Sequence, residues 1–145
     1  MIDIMNIARV RRLAYDYNLR GSNKLLKYSD DAMQGIYNGV GPDRWPDNVR
    51  RLLTGLAALY EPAVMIHDVE FKESDGTANG FADTVDHFKA NVKIILKKEY
   101  PFWTWAQFKP AYRVKRAAAV ALGAALVLAV SGDTALQIFI AEAKK

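Results

Sequence analysis

Apolar residues recur along this chain at helical spacing, and short polar segments or segments with proline and glycine separate the runs. Near the N-terminus an amphipathic helix is predicted on residues spaced three or four apart, Ile4, Ile7, Val10 and Ala14. Ser22 belongs to a residue type that favours helix N-caps, so a second helix is predicted from there to about Tyr37. The first quarter of the chain is therefore expected to be helical.

The middle of the chain shows the same pattern after a break. The stretch "GVGPDRWPD", residues 39–47, is expected to be a loop because it combines two glycines with two prolines. Asp47 then caps one predicted helix that continues to Leu59, and Pro62 opens another that continues to Phe71. After the polar turn "ESDGTANG", a long helix is predicted from Phe81 to Lys98. Its apolar face consists of Phe81, Val85, Phe88, Val92 and Ile95.

The C-terminal third begins with an aromatic connector, "EYPFWTWAQF", followed by a predicted helix from about Ala111 to Val130. Residues 117–132 carry no charge. Because a membrane span needs roughly 20 apolar residues, this shorter stretch is interpreted as a buried core helix. Its alanines and glycine would also suit packing against a partner subunit. Residues 131–133 break the helix, and a short amphipathic tail follows.

Length and composition favour one globular unit. The chain has 145 residues, no cysteine and a net charge of +4. It is long enough to bury a core without disulfides, so we predict a compact all-α single domain of five to seven helices. We divide it into N-terminal helices (1–36), a central core (37–98) and C-terminal helices (99–145). The absence of an uninterrupted apolar region at the start predicts no signal peptide, and we expect a cytoplasmic or virion-associated protein without a transmembrane span.

Two short motifs in the central core bear on function. Gly39 and Gly41 stand close together in the predicted loop, and His67 is followed directly by Asp68 on a predicted helix. The loop follows no strand and carries no Lys-Ser/Thr, so a phosphate loop is disfavoured. Closely spaced glycines can also turn backbone carbonyls toward a hard cation such as calcium. Neighbouring helical residues point about 100° apart, so a histidine and an aspartate in sequence can serve a water and a metal side by side.

The stretch from Tyr37 to Ile95 resembles the phospholipase A2-like domains of phage and bacterial genomes. Such domains tend to show Asn-Gly-x-Gly-Pro, then Trp, then His-Asp-x-x-Tyr, and then a helix with Ala-Asp-x-x-Phe and a nearby Asn. The residues of this chain that match are Asn38, Gly39, Gly41, Pro42, Trp45, His67, Asp68, Phe71, Phe88 and Asn91. The order of these motifs carries the resemblance, which covers about 60 residues.

The resemblance implies calcium-dependent hydrolysis of a phospholipid ester. In the family, the histidine takes a proton from the attacking water, and a carboxylate on the facing helix orients it. Calcium polarises the ester carbonyl and stabilises the oxyanion. Carried over, His67 is the general base. The implied calcium ligands are Asp68 and backbone oxygens of Asn38, Gly39 and Gly41.

The chain departs from the family pattern at several positions. Phe71 stands where tyrosine is usual, and the slot of the orienting aspartate falls on Val85. Asp86 is one residue from that slot and Asp83 two, and the sequence leaves open which of them, if either, faces His67. The segment between loop and histidine is long, and the disulfides of secreted relatives are absent.

Other hypotheses follow from these departures and from the charge. A non-catalytic phage or virion-associated protein with the same fold would assemble with itself or with a virion through the Ala-rich C-terminal helix. A phospholipid or membrane surface is a further expected partner. A small basic module that binds nucleic acid rests on charge alone, and nucleic acid is disfavoured because no recognisable binding motif accompanies the basic residues.

Overall fold

The fold of the chain in the computed structural model is all-α. The structure describes the backbone of residues 4–37 and 47–145, and the side chains of that part except those of 47–56. The α-helices among these residues are α1 (Ile4–Asp16), α2 (Asp30–Ile36), α3 (Asp47–Lys72), α4 (Ala78–Glu99), α5 (Pro110–Ser131) and α6 (Asp133–Glu142). Two short 3-10 helices span Ser22–Lys27 and Trp105–Phe108. No strand occurs among the described residues, which confirms the predicted all-α class.

Helix α3 is the centre of the described fold, because each of the helices α1, α2, α4, α5 and α6 contacts it. From residue 60 onward it is buried on most of its circumference, and its fully buried apolar side chains are Tyr60, Ala63, Met65, Ile66 and Val69. A helix that is apolar nearly all round belongs in a core. The antiparallel partner α4 contributes the predicted face, with Val85, Phe88, Val92 and Ile95 buried.

A buried asparagine ties the end of α1 to α4. Asn91 is 1% exposed, and its side-chain amide donates to the carbonyl of Arg20 over 2.9 Å. The backbone N–H of Arg20 donates back to the Asn91 carboxamide oxygen over 2.7 Å. Arg20 lies in a turn, where its N–H and C=O have no helical hydrogen-bond partners. The Asn91 side chain satisfies both groups. Asn91, one of the residues that carry the resemblance, thus has a structural role here.

The single helix predicted from Ser22 to Tyr37 is wrong. A 3-10 helix, Ser22–Lys27, is followed by a break and then by α2, whose N-cap is Ser29. The Ser29 hydroxyl accepts a hydrogen bond from the N–H of Ala32 over 3.2 Å, which satisfies one of the free donors of the first turn. The acidic residues Asp30 and Asp31 in that turn favour the same start because they complement the helix dipole.

The two helices predicted around Pro62 are one helix, α3, which begins at Asp47 and contains Pro62 in its interior. A proline there removes one backbone hydrogen bond and costs about 3 kcal/mol. Burial of a large apolar side chain contributes about 1.5–3 kcal/mol. Since Tyr60 and Ile66 flank the proline in the core, their burial outweighs the break. Asp47 was predicted to cap this helix, but its side chain lies outside the described residues.

Helix α5 lies on the surface of the fold, contrary to the prediction of a buried core helix. Only Ala119, Leu122 and Gly123 are buried along its length. Among the described residues it is the one helix long and apolar enough to cross a membrane, and 17% of its apolar window is buried inside the fold. The reason is position: α5 packs on α3 and α4, and among the described residues no further helix layer covers the exposed residues of its opposite face.

Candidate functional site

His67 lies on α3. It is buried and contacts two aromatic side chains. Its exposed fraction is 9%. The imidazole centroid is 4.2 Å from the ring centroid of Phe71 and 5.4 Å from that of Phe88, which meets it edge-on. Phe71 is one turn further along α3, and Phe88 projects from the facing helix α4. Two neighbouring helices therefore fix the plane of this ring.

The two ring nitrogens of His67 have different surroundings. Nδ1 is 3.5 Å from Oδ1 of Asp68, at the long limit for a hydrogen bond. Nε2 is buried and has no hydrogen-bond partner within the described part of the chain. A buried polar atom without a partner is uncommon in folded proteins. Core packing alone therefore does not explain why a histidine occupies position 67.

Asp68 faces a cavity beside the end of α2. The cavity measures about 340 Å³, and its walls include Gly35 and Ile36 of α2 together with Asp68, Phe71 and Lys72 of α3. Residues of α6 complete it. The pKa of the buried Tyr37 is raised, first by burial and then by the charges of Glu61 and Asp68. Asp68 thus lies beside residues that shortly precede the Asn38–Gly41 segment in the sequence.

The two aspartates predicted to orient His67 lie elsewhere on α4. The Asp86 side chain is 71% exposed and its carboxylate is 3.8 Å from Lys89. Asp83 is exposed and lines a different cavity from the one at Asp68. Val85, which occupies the family's slot for that carboxylate, is buried. The partners recorded for His67 are Asp68, Phe71 and Phe88. The structure thus places His67 and Asp68 together and brings neither Asp83 nor Asp86 to them.

The remaining predicted ligands, Asn38, Gly39 and Gly41, lie outside the described residues. Among the described side chains, those of residues 4–37 and 57–145, no group of three or more histidine or acidic residues is arranged to hold a metal ion. Asp68 by itself is a suitable hard-oxygen ligand, with 28% of its side chain exposed toward the cavity. A calcium site here would take its other oxygens from the segment that follows α2.

A second polar cluster was not predicted from the sequence. The Glu70 side chain is 2% exposed, and its Oε1 accepts hydrogen bonds from Lys24 Nζ over 3.0 Å and from His87 Nδ1 over 2.7 Å. Glu70 Oε2 is buried without a partner in the described part of the chain. His87 directly follows the exposed Asp86 on α4, yet it is bonded to a buried carboxylate. We call Lys24, Glu70 and His87 the Glu70 cluster.

The sequence does contain an indication of the Glu70 cluster. Glu70 stands four residues after Ile66 and seven after Ala63, so it shares the core-facing register of α3. A carboxylate in that register requires partners, because an unpaired buried charge is costly. The partners themselves come from the 3-10 helix after α1 and from α4, and no local pattern identifies them. The cluster borders a cavity of about 230 Å³ that Asp83 also lines.

Comparison of the chain with protein-family models, with curated proteins and with solved structures finds no match.

Proposed function

We propose that this chain is a phospholipase A2-like hydrolase that cleaves a phospholipid ester in the presence of calcium. The observation that carries the proposal is the cavity at the end of α2. Asp68 lines it next to Gly35 and Ile36, only a few residues before the Asn38-Gly39-x-Gly41 motif. His67 directly precedes Asp68. The position of Asp68 beside the residues that precede the Asn38-Gly39-x-Gly41 motif supports a shared site for the two motifs.

In the proposed site, Asp68 and backbone oxygens of Asn38, Gly39 and Gly41 hold the calcium ion. Bound calcium supplies Lewis-acid stabilisation of the charge that develops on the ester oxygen. The Asp68 carboxylate fits this task because it is a hard ligand, partly exposed in the cavity.

His67 provides the base in this proposal. Nδ1 is the nitrogen on the side of Asp68, whereas Nε2 is buried. A tautomer with the proton on Nε2 leaves the Nδ1 lone pair to accept a proton from water. Contacts with Phe71 and Phe88 hold the ring in place. Because the positive charge formed at Nε2 meets no carboxylate among the described residues, we expect a slow hydrolase compared with a complete triad.

The proposal is tested by hydrolysis of a short-chain phosphatidylcholine with and without calcium. His67→Ala and Asp68→Asn are each expected to lower the rate at least a hundredfold, which corresponds to about 3 kcal/mol of transition-state stabilisation. His87→Ala and Asp86→Asn are the matched controls and should change the rate by less than about threefold, or under 1 kcal/mol. If His67→Ala hydrolyses the lipid as fast as the wild type, the proposed base is wrong.

A second candidate function is a non-catalytic phage or virion-associated structural protein with the same helical fold. The 9% exposure of His67 and its contacts with Phe71 and Phe88 favour it, because an imidazole that only fills a core needs no access to substrate. This alternative predicts a stable oligomer or a bound partner and no metal-dependent turnover. A monomer by light scattering that hydrolyses the lipid would exclude it.

A further inference from the structure

The segment between α4 and α5 presents large aromatic side chains to solvent. The exposed fractions are 86% for Trp103, 87% for Trp105, 69% for Phe108 and 54% for Phe102. Tryptophan is usually well buried in folded proteins, so two neighbouring indoles exposed to this degree are unusual. With the basic residues Lys109, Arg113 and Lys115 that follow, these four side chains form what we call the aromatic–basic surface.

The exposure of these rings is built into the fold. The Tyr112 hydroxyl donates to the carbonyl of Pro101 over 2.8 Å, and Arg116 Nε donates to the carbonyl of Tyr100 over 3.2 Å. Both bonds fasten the start of the segment to α5. The Arg116 guanidinium also lies 5.2 Å from the Phe102 ring centroid, a cation–π distance. The backbone is therefore held while the indoles point away from the core.

The charge of this region is of one sign. No acidic residue occurs between Glu99 and Asp133, whereas Lys109, Arg113, Lys115 and Arg116 all fall within that interval. Lys109, Arg113 and Lys115 are exposed, and none of them pairs with an acidic side chain in the described part of the chain. These cations are thus available to an external anion.

The outer face of α5 extends the surface with apolar residues. Val114 is 69% exposed, Val120 41% and Leu128 73%. Alanines 117, 121 and 124 are exposed between them, at the three- and four-residue spacing of one helix face. From residue 117 to the end of α5 this face carries no charge. The helix thus offers an uncharged flank beside a basic and aromatic end.

We propose that the aromatic–basic surface and the outer face of α5 dock the protein on an anionic phospholipid bilayer. Indole rings favour the membrane–water interface, where the ring is apolar and the N–H is hydrated. Basic side chains are attracted to anionic headgroups, and an apolar helix face can lie in the interface plane. The surface adds a mode of attachment to the proposed hydrolase but does not require turnover.

Flotation with vesicles of phosphatidylcholine, with or without a third of phosphatidylglycerol, tests this docking. The wild type is expected to float with the anionic vesicles and to remain in solution with the neutral ones. In a Trp45→Phe background, the emission of Trp103 and Trp105 should shift to the blue on binding. The double variant Trp103→Ala, Trp105→Ala should no longer float, whereas Leu26→Ala, which removes another exposed apolar side chain, should float like the wild type.

The charge requirement is tested with Arg113→Gln combined with Lys115→Gln. Each basic group near an anionic surface contributes about fivefold to partitioning, so the pair should weaken it roughly 30-fold. Arg12→Gln combined with Lys89→Gln removes two exposed charges on α1 and α4 and should have little effect. Equal losses in both pairs would show that only net charge matters and would overturn the assigned surface.

Other results would also overturn the proposal. Absence of flotation with anionic vesicles would do so. A blue shift of Trp103 and Trp105 on lipid-free self-association, measured with light scattering, would show that a second copy covers the surface. The two proposals fail separately: His67→Ala should still float, and loss of docking should leave hydrolysis of monomeric short-chain lipid intact.

Discussion

At the scale of single residues, the side chains that could take part in a reaction are polar groups buried around α3 and α4. His67 and Asp68 are neighbours in sequence, with Nδ1 of His67 3.5 Å from Oδ1 of Asp68, so the sequence was enough to pair them. Glu70 and His87 are 17 residues apart on two helices and form the shortest hydrogen bond of the Glu70 cluster. That pairing depends on how two helices rotate against each other, which no local pattern encodes.

The Glu70 cluster is expected to stabilise the fold. Glu70→Gln keeps the shape of the side chain but removes the charge that two donors share. Hydrogen bonds to charged groups contribute about 1.5–3 kcal/mol, and Lys24 and His87 are each one-third exposed, which reduces this through solvent screening. We expect a loss of about 1–2 kcal/mol in the free energy of unfolding, measured by urea denaturation.

The matched control for that substitution is Glu73→Gln. Glu73 lies directly after the end of α3 and also accepts from a lysine, Lys27, over 3.0 Å, but its side chain is 23% exposed and the lysine 62%. Exposed pairs contribute about 0–1 kcal/mol, so this variant should lose less than Glu70→Gln. Equal losses from both substitutions would contradict a special role for the buried carboxylate.

At the scale of elements, hydrophobic periodicity predicted where helices form better than where they stop. The face of α4 and the extent of α5 agree with the sequence within a few residues. The errors fell on the segment 22–37 and on Pro62, where the outcome depends on a cap at Ser29 and on core burial around the proline. The surface position of α5 was missed because composition shows that a helix is apolar but does not show which elements cover it.

Alanine substitutions at two glycines, one in α5 and one in α2, are expected to have opposite effects on the free energy of unfolding. A Cβ at Gly123 would lie 2.8 Å from the Tyr60 hydroxyl oxygen and 2.9 Å from a methyl carbon of Val92. Tyr60 cannot easily move, because its buried hydroxyl donates to the carbonyl of Ala119 over 2.6 Å. Gly123→Ala should therefore lower the free energy of unfolding by about 1–3 kcal/mol, the usual cost of overpacking.

Gly35 in α2 is the control position, because a Cβ there would have no atom within 4 Å. Gly35→Ala should raise the free energy of unfolding by about 0.5–1 kcal/mol, since alanine favours the helix over glycine. Thermal or urea denaturation of both variants gives the comparison. Stabilisation by Gly123→Ala would mean that α5 does not approach Tyr60 as closely as the structure has it.

At the scale of the whole molecule, the sequence predicted the all-α class and, through the order of its motifs, a common site for the loop and the His-Asp pair. The structure brings Asp68 to Gly35 and Ile36 at the end of α2, and Asn38, Gly39 and Gly41 follow these residues in the sequence. It does not bring Asp83 or Asp86 to His67, because both side chains lie on the exposed part of α4. A one-residue difference in register rotates a helical side chain by about 100°, which is enough to move a carboxylate out of a site.

We propose that Asp68 belongs to a calcium site. Calorimetric titration of calcium into the purified protein tests this proposal most directly. The wild type is expected to bind one calcium ion. Asp68→Asn should weaken that binding at least tenfold, because a charged hard ligand is lost, whereas Asp86→Asn should leave it unchanged. Absence of calcium binding by the wild type, or equal binding by Asp68→Asn, would contradict the proposed site.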